Sequence, residues 1–104
     1  MSTKSFIYYL DPELEDRIRE EMVIEKGIVT KFLIQYEAFI NGKWYAIVRY
    51  DTAHNFAHRD IMKPNGTQIK YDVQTQDFNQ ALTIGEADLK SNWKKYRSKY
   101  ESEL

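Results

Sequence analysis

The apolar positions of the chain change their spacing twice, and each change predicts a new element. Residues 5–10 are apolar and aromatic and predict a short extended segment. Over residues 12–25 the apolar side chains recur at every fourth position, at Leu14, Ile18 and Met22. This spacing predicts a helix lying on a surface. Asp11 before Pro12 favours its start, and Gly27 favours its end.

From residue 28 the apolar period becomes two, which is typical of strands with one buried face. Two Asn-Gly pairs, at 41–42 and 65–66, predict two-residue hairpin turns, because both central residues of such a turn take positive φ. The pattern therefore predicts a four-stranded antiparallel meander. Its strands would be Ile28–Ile40, Lys43–Asp51, His58–Pro64 and Thr67–Val73.

Residues 77–101 return to steps of three and four, which place one apolar stripe on a long C-terminal helix. The stripe consists of Phe78, Leu82, Gly85, Leu89, Trp93, Tyr96 and Tyr100. Gly85 is either a weak point of this helix or a close-packing contact. The predicted fold class is α+β, with an N-terminal helix, the meander, and the C-terminal helix packed on one face. We expect a single domain over residues 1–104, with an acidic strand and helix segment at 1–26, the sheet at 28–73 and the C-terminal helix at 77–101.

The predicted turns also fix which residues face one another across the strands. The opposed pairs are Ile34 with Arg49 and Tyr36 with Ile47 in the first hairpin, and Met62 with Ile69 and Asp60 with Tyr71 in the second. Between the central strands, one register would set Arg49 against Arg59, which is unfavourable. The register one residue away sets Arg49 against Asp60 and Asp51 against His58. We expect this second register, with the four charged residues on the helix-covered face beside loop 52–57.

The segment 49–60 holds both histidines of the protein. A partly buried Asp–His pair orients an imidazole for acid–base catalysis, and a nearby arginine suits a phosphate. The candidate catalytic residues are therefore His54, His58, Arg49, Asp51 and Asp60. The candidate substrate-binding residues are Arg59, Tyr50 and Thr52.

Three other interpretations are open, and the first two use the same residues. The charged residues could form two structural ion pairs that hold loop 52–57 in place and fix the register between the two central strands. Asp51, His54, His58 and Asp60 are also acceptable metal ligands, although no fixed-spacing metal motif is present and no cofactor is expected. The lysine-rich side of the C-terminal helix could contact nucleic acid, but a solvated helix face is the commoner explanation.

Composition narrows the function classes. The chain has no cysteine, which excludes disulfides and thiolate catalysis and suits a cytoplasmic protein. A net charge of −1 argues against a simple basic nucleic-acid binder. No apolar run has the length of a membrane helix, so no membrane association is expected. The second sheet face would carry Phe39, Trp44 and Val48, which predicts a homodimer.

The strings Val48-Arg49-Tyr50-Asp51-Thr52-Ala53-His54 and His58-Arg59-Asp60, the Pro-Asn-Gly turn and Asn92-Trp93 resemble a family of small uncharacterised prokaryotic proteins. That family is in turn similar to the TumE-like toxins of toxin–antitoxin pairs, and the likeness covers roughly residues 28–101. The resemblance implies a toxin component that acts on RNA and has an antitoxin partner. This is the leading functional hypothesis. Its rival is a non-catalytic homodimeric interaction module with a structural charge cluster.

Overall fold

Six antiparallel strands in one meandering sheet, with a single long helix across one face, make up the fold of residues 1–104 in a computed structural model. Each strand pairs with its neighbours in the sequence, so the order in the sheet is the order in the chain. A short 3₁₀ turn, Ala53–Asn55, lies between the fourth and fifth strands. The elements are β1 (Ser2–Tyr9), β2 (Asp16–Glu25), β3 (Ile28–Ile40), β4 (Lys43–Asp51), β5 (His58–Met62), β6 (Gln68–Asp72) and α1 (Phe78–Ser102).

The prediction of an N-terminal helix over 12–25 is wrong, and with it the four-stranded sheet, because this segment contains strand β2. Ile18 and Met22 are four residues apart, and a separation of four also places two side chains on the same face of a strand. Asp11 caps a tight turn instead of a helix, because its carboxylate accepts the backbone N–H of Asp16 at 2.9 Å. Leu14 has a positive φ of 60°, which interrupts any helix at this point.

Two-residue turns with positive φ at both positions connect β2 to β3 and β3 to β4. The first is Lys26-Gly27, with φ of 51° and 77°, so the assignment of Gly27 to a helix end is also wrong. The second is Asn41-Gly42, with φ of 51° and 83°, which confirms the hairpin predicted there.

The last hairpin differs from the prediction by one residue. Its loop has three residues, because the Lys63 N–H donates to the Thr67 carbonyl at 2.9 Å and only Gly66 takes a positive φ. Asp60 consequently pairs with Lys70 instead of the predicted Tyr71.

A β-bulge in the pairing of β3 with β4 reverses the face of the sheet to which each side chain in the second half of β4 points. From the turn as far as Glu37, the pairing of β3 with β4 follows the prediction. From Tyr36 onward, each β3 residue pairs with the β4 residue one position later than predicted. Tyr36 therefore faces Val48 instead of Ile47, and Ile34 faces Tyr50 instead of Arg49. Because side chains alternate along a strand, Val48 and Tyr50 point toward α1 while Arg49 points away from it. The side of the sheet under α1 is called the helix face below, and the other side the open face.

The core lies between α1 and the helix face, and the C-terminal helix is confirmed with Asp77 as its N-cap. The Asp77 carboxylate accepts the Gln80 N–H at 2.8 Å. Gly85 lies directly against Tyr50 and Ile34. No helix combines the length and the apolar character needed to cross a membrane. The residues with 0% exposure are Ile18, Ile34, Tyr36, Ala38, Val48, Ala81 and Leu89.

Candidate functional site

Asp51, His58 and Asp60 form one cluster at the rim of the sheet. The register predicted between the central strands is confirmed, since Arg49 pairs with Asp60 and Asp51 with His58. The Nε2 atom of His58 is in close contact with Oδ1 of Asp51 and lies 3.7 Å from Oδ2 of Asp60. One potential ligand atom from each of the three residues lies within 4.8 Å of the others.

The cluster lies on the open face, so the prediction that α1 covers it is wrong. The bulge in β4 is the reason, because it moves Asp51 and its partner His58 to the side away from the helix. The cluster is nevertheless buried: His58 is 1% exposed and Asp60 is 2% exposed. The Phe56 ring from loop 52–57 contributes cover, with its centroid 5.5 Å from that of His58.

Three buried polar atoms of the cluster have no hydrogen-bond partner: Oδ1 of Asp51, Nδ1 of His58 and Oδ1 of Asp60. The contact between His58 Nε2 and Asp51 Oδ1 is close but lacks the geometry of a hydrogen bond. The Lys70 ammonium lies 3.8 Å from Asp60 Oδ1, too far for a hydrogen bond. Unpartnered atoms of this kind are rare in folded proteins and indicate strain or an absent partner.

Arg49 belongs to a different network on the open face. Its Nε donates to Gln35 Oε1 at 2.7 Å, so the guanidinium turns away from the facing Asp60. Gln35 in turn donates to Glu37 at 2.6 Å, and Glu37 accepts from Arg17 at 2.7 Å. This row of hydrogen bonds crosses β2, β3 and β4 and holds three charged side chains in fixed positions.

His54 lies apart from the cluster and lines a groove of about 650 Å³ on the open face. The histidine is exposed and has a positive φ of 66°, an uncommon conformation for a residue other than glycine. Asp51, Thr52 and Lys31 line the same groove. Asp51 is therefore the one residue that belongs to both the buried cluster and the groove.

The three predicted substrate-binding residues lie outside the cluster. The Thr52 hydroxyl accepts the Phe32 N–H at 3.1 Å and ties the loop to β3, although Thr52 also lines the groove. Tyr50 points to the helix face, where its hydroxyl donates to Asp88 at 2.6 Å. Arg59 lies on the same face, with its guanidinium 4.6 Å from the centre of the Tyr71 ring.

A polar network under α1, centred on Asp88, was not predicted from the sequence. Its carboxylate accepts from Tyr50, from Tyr96 at 2.7 Å and from Asn92 at 2.8 Å. Burial, followed by the hydrogen bond to Asp88, raises the pKa of Tyr96 to about 12 and also raises that of Tyr50. Asp88, Asn92 and Tyr96 stand four residues apart on one helix, and this spacing could have revealed the network.

A second missed group is the buried carboxyl of Glu20, also on the helix face. The pKa of Glu20 is raised to about 7, mainly by burial and to a smaller extent by the neighbouring Glu86 carboxylate. The only sequence signal is a glutamate at a buried position of a strand, between Ile18 and Met22. Neither helix-face network reaches the groove, so the open face holds the best candidate site.

The open-face site combines two kinds of chemistry. An accessible imidazole at His54 can take up or release a proton next to a bound ligand. The cluster of Asp51, His58 and Asp60 offers one nitrogen and two carboxylate ligands, a set that binds divalent transition metals.

Comparison with known proteins identifies a family but no activity. A family model described as Domain of unknown function (DUF7718) matches residues 1–104, so the chain belongs to this uncharacterised family. No curated protein and no solved structure matches the chain. The similarity to TumE-like toxins is not shown by these comparisons and stays a prediction.

Proposed function

We propose that this DUF7718 protein acts on RNA in the open-face groove, where the imidazole of His54 is the general acid–base group. The observation that carries the proposal is the shared position of Asp51, which lines the groove beside His54 and also contacts the buried His58. The groove therefore has an accessible imidazole at its wall and a fixed acidic cluster at its end. Lys31 supplies a positive charge for a phosphate at the same wall.

Exposure separates the roles of the two histidines. His58 is 1% exposed and cannot touch a polymer such as RNA, so it serves as a positioning residue for Asp51. His54 is exposed at the groove, where its imidazole can accept the proton of a ribose 2′-hydroxyl as that oxygen attacks the neighbouring phosphorus, and can return the proton to the departing 5′-oxygen. Its left-handed backbone conformation costs on the order of 1 kcal/mol or more, and such strain is concentrated at functional sites.

The toxin hypothesis adds a cellular consequence to this chemistry. A TumE-like toxin would arrest growth by acting on RNA, and an antitoxin would block it. The groove is the part of the surface that an inhibitory partner would have to cover, because it contains His54. The resemblance of the Tyr50-Asp51 and His58-Arg59 elements to such toxins supports this extension.

Induced expression in bacteria tests the proposal. The wild type is expected to slow growth and to cleave cellular RNA. His54→Ala should lose cleavage by a factor of roughly 100 or more, because general acid–base groups contribute that much. Gln68→Ala, which changes an exposed residue on β6, is the matched control and should behave as the wild type. Equal growth of all three strains with intact RNA contradicts the proposal.

A second candidate function is a non-catalytic interaction module, and the burial of the cluster favours it. A structural cluster needs His58 only for stability, so His58→Ala should lower the melting temperature. His54→Ala should then leave bacterial growth and cellular RNA the same as the wild type does. A homodimer belongs to this hypothesis, and light scattering of the purified chain tests it directly.

A further inference from the structure

We propose that Asp51, His58 and Asp60 bind one divalent transition-metal ion at the end of the groove. The ion would be the cofactor of the site proposed above and so deepens that proposal. The binding site itself, however, is inferred from the ligand atoms alone. It can be tested without any assumption about RNA.

The geometry of the cluster fits a single ion. Metal–nitrogen and metal–oxygen bonds of about 2.0–2.2 Å place any two ligand atoms at most roughly 4.4 Å apart. The three ligand atoms of Asp51, His58 and Asp60 lie within 4.8 Å of one another. A change of a few tenths of an ångström brings them all into range, which side-chain rotation alone can supply.

The unpartnered oxygens are a second and independent observation. Asp60 is 2% exposed, and its Oδ1 atom has no hydrogen-bond partner. The nearest cation, Lys70, is partly exposed and stands 3.8 Å away, so it is free to turn to water. Leaving a buried carboxylate oxygen without a partner is unfavourable, and a bound cation removes this cost.

The contact between His58 and Asp51 supports the same conclusion. Nε2 of His58 and Oδ1 of Asp51 meet closely, yet the contact is not a hydrogen bond. A cation placed between the imidazole nitrogen and the carboxylate oxygen would replace this contact with one bond to each atom. The register of β4 and β5 keeps the two residues directly opposite each other.

The ligand types limit the choice of metal. One imidazole nitrogen with two carboxylate oxygens suits Zn²⁺, Mn²⁺ or Fe²⁺, and the chain has no thiolate to select Cu⁺. Three protein ligands leave at least one coordination position open, as in catalytic metal sites. Because Asp51 also lines the groove, the open position is expected on the groove side. There the ion could bind a phosphate oxygen of the substrate or a water molecule.

Calorimetric titration of the chelator-treated protein with Zn²⁺ and with Mn²⁺ tests the site. The wild type is expected to bind one equivalent of at least one of these ions. Asp60→Asn should weaken binding by at least about 10–100-fold, because it removes the charge of a ligand, and even changes to the partners of metal ligands cost this much affinity. Asp72→Asn is the matched control, since Asp72 is an exposed carboxylate on the neighbouring strand that faces His58 outside the cluster. It should bind the ion as the wild type does.

Two further measurements keep the outcomes distinct. His54→Ala should bind the metal like the wild type even if it loses RNA cleavage. Metal binding by the wild type without RNA cleavage would therefore contradict the proposed function alone. If Asp60→Asn does not fold, pulsed electron paramagnetic resonance of Mn²⁺ on the wild type still decides, because coordination by His58 produces nitrogen coupling. The metal site is refuted if the wild type binds neither ion, if Asp60→Asn binds as tightly as Asp72→Asn, or if bound Mn²⁺ shows no nitrogen coupling.

Discussion

Glu20 is a buried carboxyl whose protonation is linked to folding. It is 1% exposed and one of its oxygens has no hydrogen-bond partner. Burial first, and then the charge and hydrogen bond of Glu86, raise its pKa to about 7, while the charge of Lys90 acts in the opposite direction. Tyr8 faces the same group, and burial together with Glu20 raises the pKa of Tyr8 to about 12.

The raised pKa of Glu20 predicts that the protein is more stable in mild acid. In the unfolded chain a glutamate has a pKa of about 4.3, so between that value and about 7 the folded state binds the extra proton. The free energy of unfolding should therefore fall as the pH rises through this window and become flat above it. Urea unfolding at pH 5 and pH 8 measures the difference.

Replacing the carboxyl should remove this pH dependence. Glu20→Gln keeps the shape without the charge and should stabilise the fold at pH 8 by about 1–2 kcal/mol. Glu21→Gln is the control, because Glu21 is the exposed neighbour on the open face. A pH dependence of equal size in wild type and Glu20→Gln would show that another group is responsible.

The cluster residues show how far single residues can be predicted from the sequence. The charges of Arg49, Asp51, His58 and Asp60 were sufficient to choose the register between β4 and β5, because the alternative opposes two arginines. The burial of His58 and Asp60 was predicted for the wrong reason, since the cover was assigned to α1. The hydrogen bond from Arg49 to Gln35 could not be foreseen, because it depends on the bulge in β4.

Helix α1 approaches the sheet so closely at Gly85 that no larger side chain fits there without a shift. A Cβ atom added to Gly85 would lie 3.0 Å from Cγ of Tyr50 and 3.2 Å from a methyl carbon of Ile34. The Tyr50 ring cannot shift easily, because its hydroxyl is held by Asp88 at 2.6 Å. Alanine favours a helix by up to about 1 kcal/mol over glycine, and the contact overrides this gain.

Gly85→Ala should therefore lower the free energy of unfolding by about 1–2 kcal/mol, measured by urea denaturation. Ser91→Ala, at an exposed position of the same helix, should be neutral or slightly stabilising. A more stable Gly85→Ala variant would show that α1 can move away from the sheet at little cost.

Arg97 joins the end of α1 to β2 and β3, and a second prediction concerns this contact. Its guanidinium donates to the Asp16 carboxylate at 2.9 Å and to the Phe39 carbonyl at 3.1 Å. Tyr36 donates to the same carboxylate. Lysine cannot reproduce this forked geometry, so Arg97→Lys should lower the free energy of unfolding by about 1–3 kcal/mol.

Lys95→Ala removes a positive charge from an exposed position of the same helix and serves as the control in thermal or urea unfolding. If Arg97→Lys and Lys95→Ala change stability equally, the contact with Asp16 contributes nothing specific.

Strand β2 and the bulge in β4 explain why two elements were misread. Ile18 and Met22 fit a helix and a strand equally, and Pro12 with Asp11 favours helices and tight turns alike. The bulge leaves no signal in the alternation, because both Ile47 and Val48 are apolar and both are buried. The Asn41-Gly42 turn was predicted correctly, because a two-residue hairpin turn needs positive φ at both of its positions. The same signal at Asn65-Gly66 gave the wrong loop length, since only Gly66 takes a positive φ there.

The six strands of the sheet should differ in their stability against local opening. The central strand β3 is paired on both sides and contributes more core residues than any other element, whereas every residue of the edge strand β6 is exposed. The five pairs between β5 and β6 are the only regular pairing that β6 makes. Local opening of an edge strand with so little buried surface requires much less free energy than global unfolding.

Hydrogen exchange followed by nuclear magnetic resonance is therefore expected to show β6 exchanging at least about 100-fold faster than β3. The opening matters for the site, because β6 pairs directly with the strand that carries His58 and Asp60. A metal ion bound to those two residues should slow exchange in β5, while β1 at the opposite edge keeps its rate and serves as the internal control. Equal protection of β3 and β6 would mean that the sheet opens as one cooperative unit, and access to the buried cluster would then not depend on its edge.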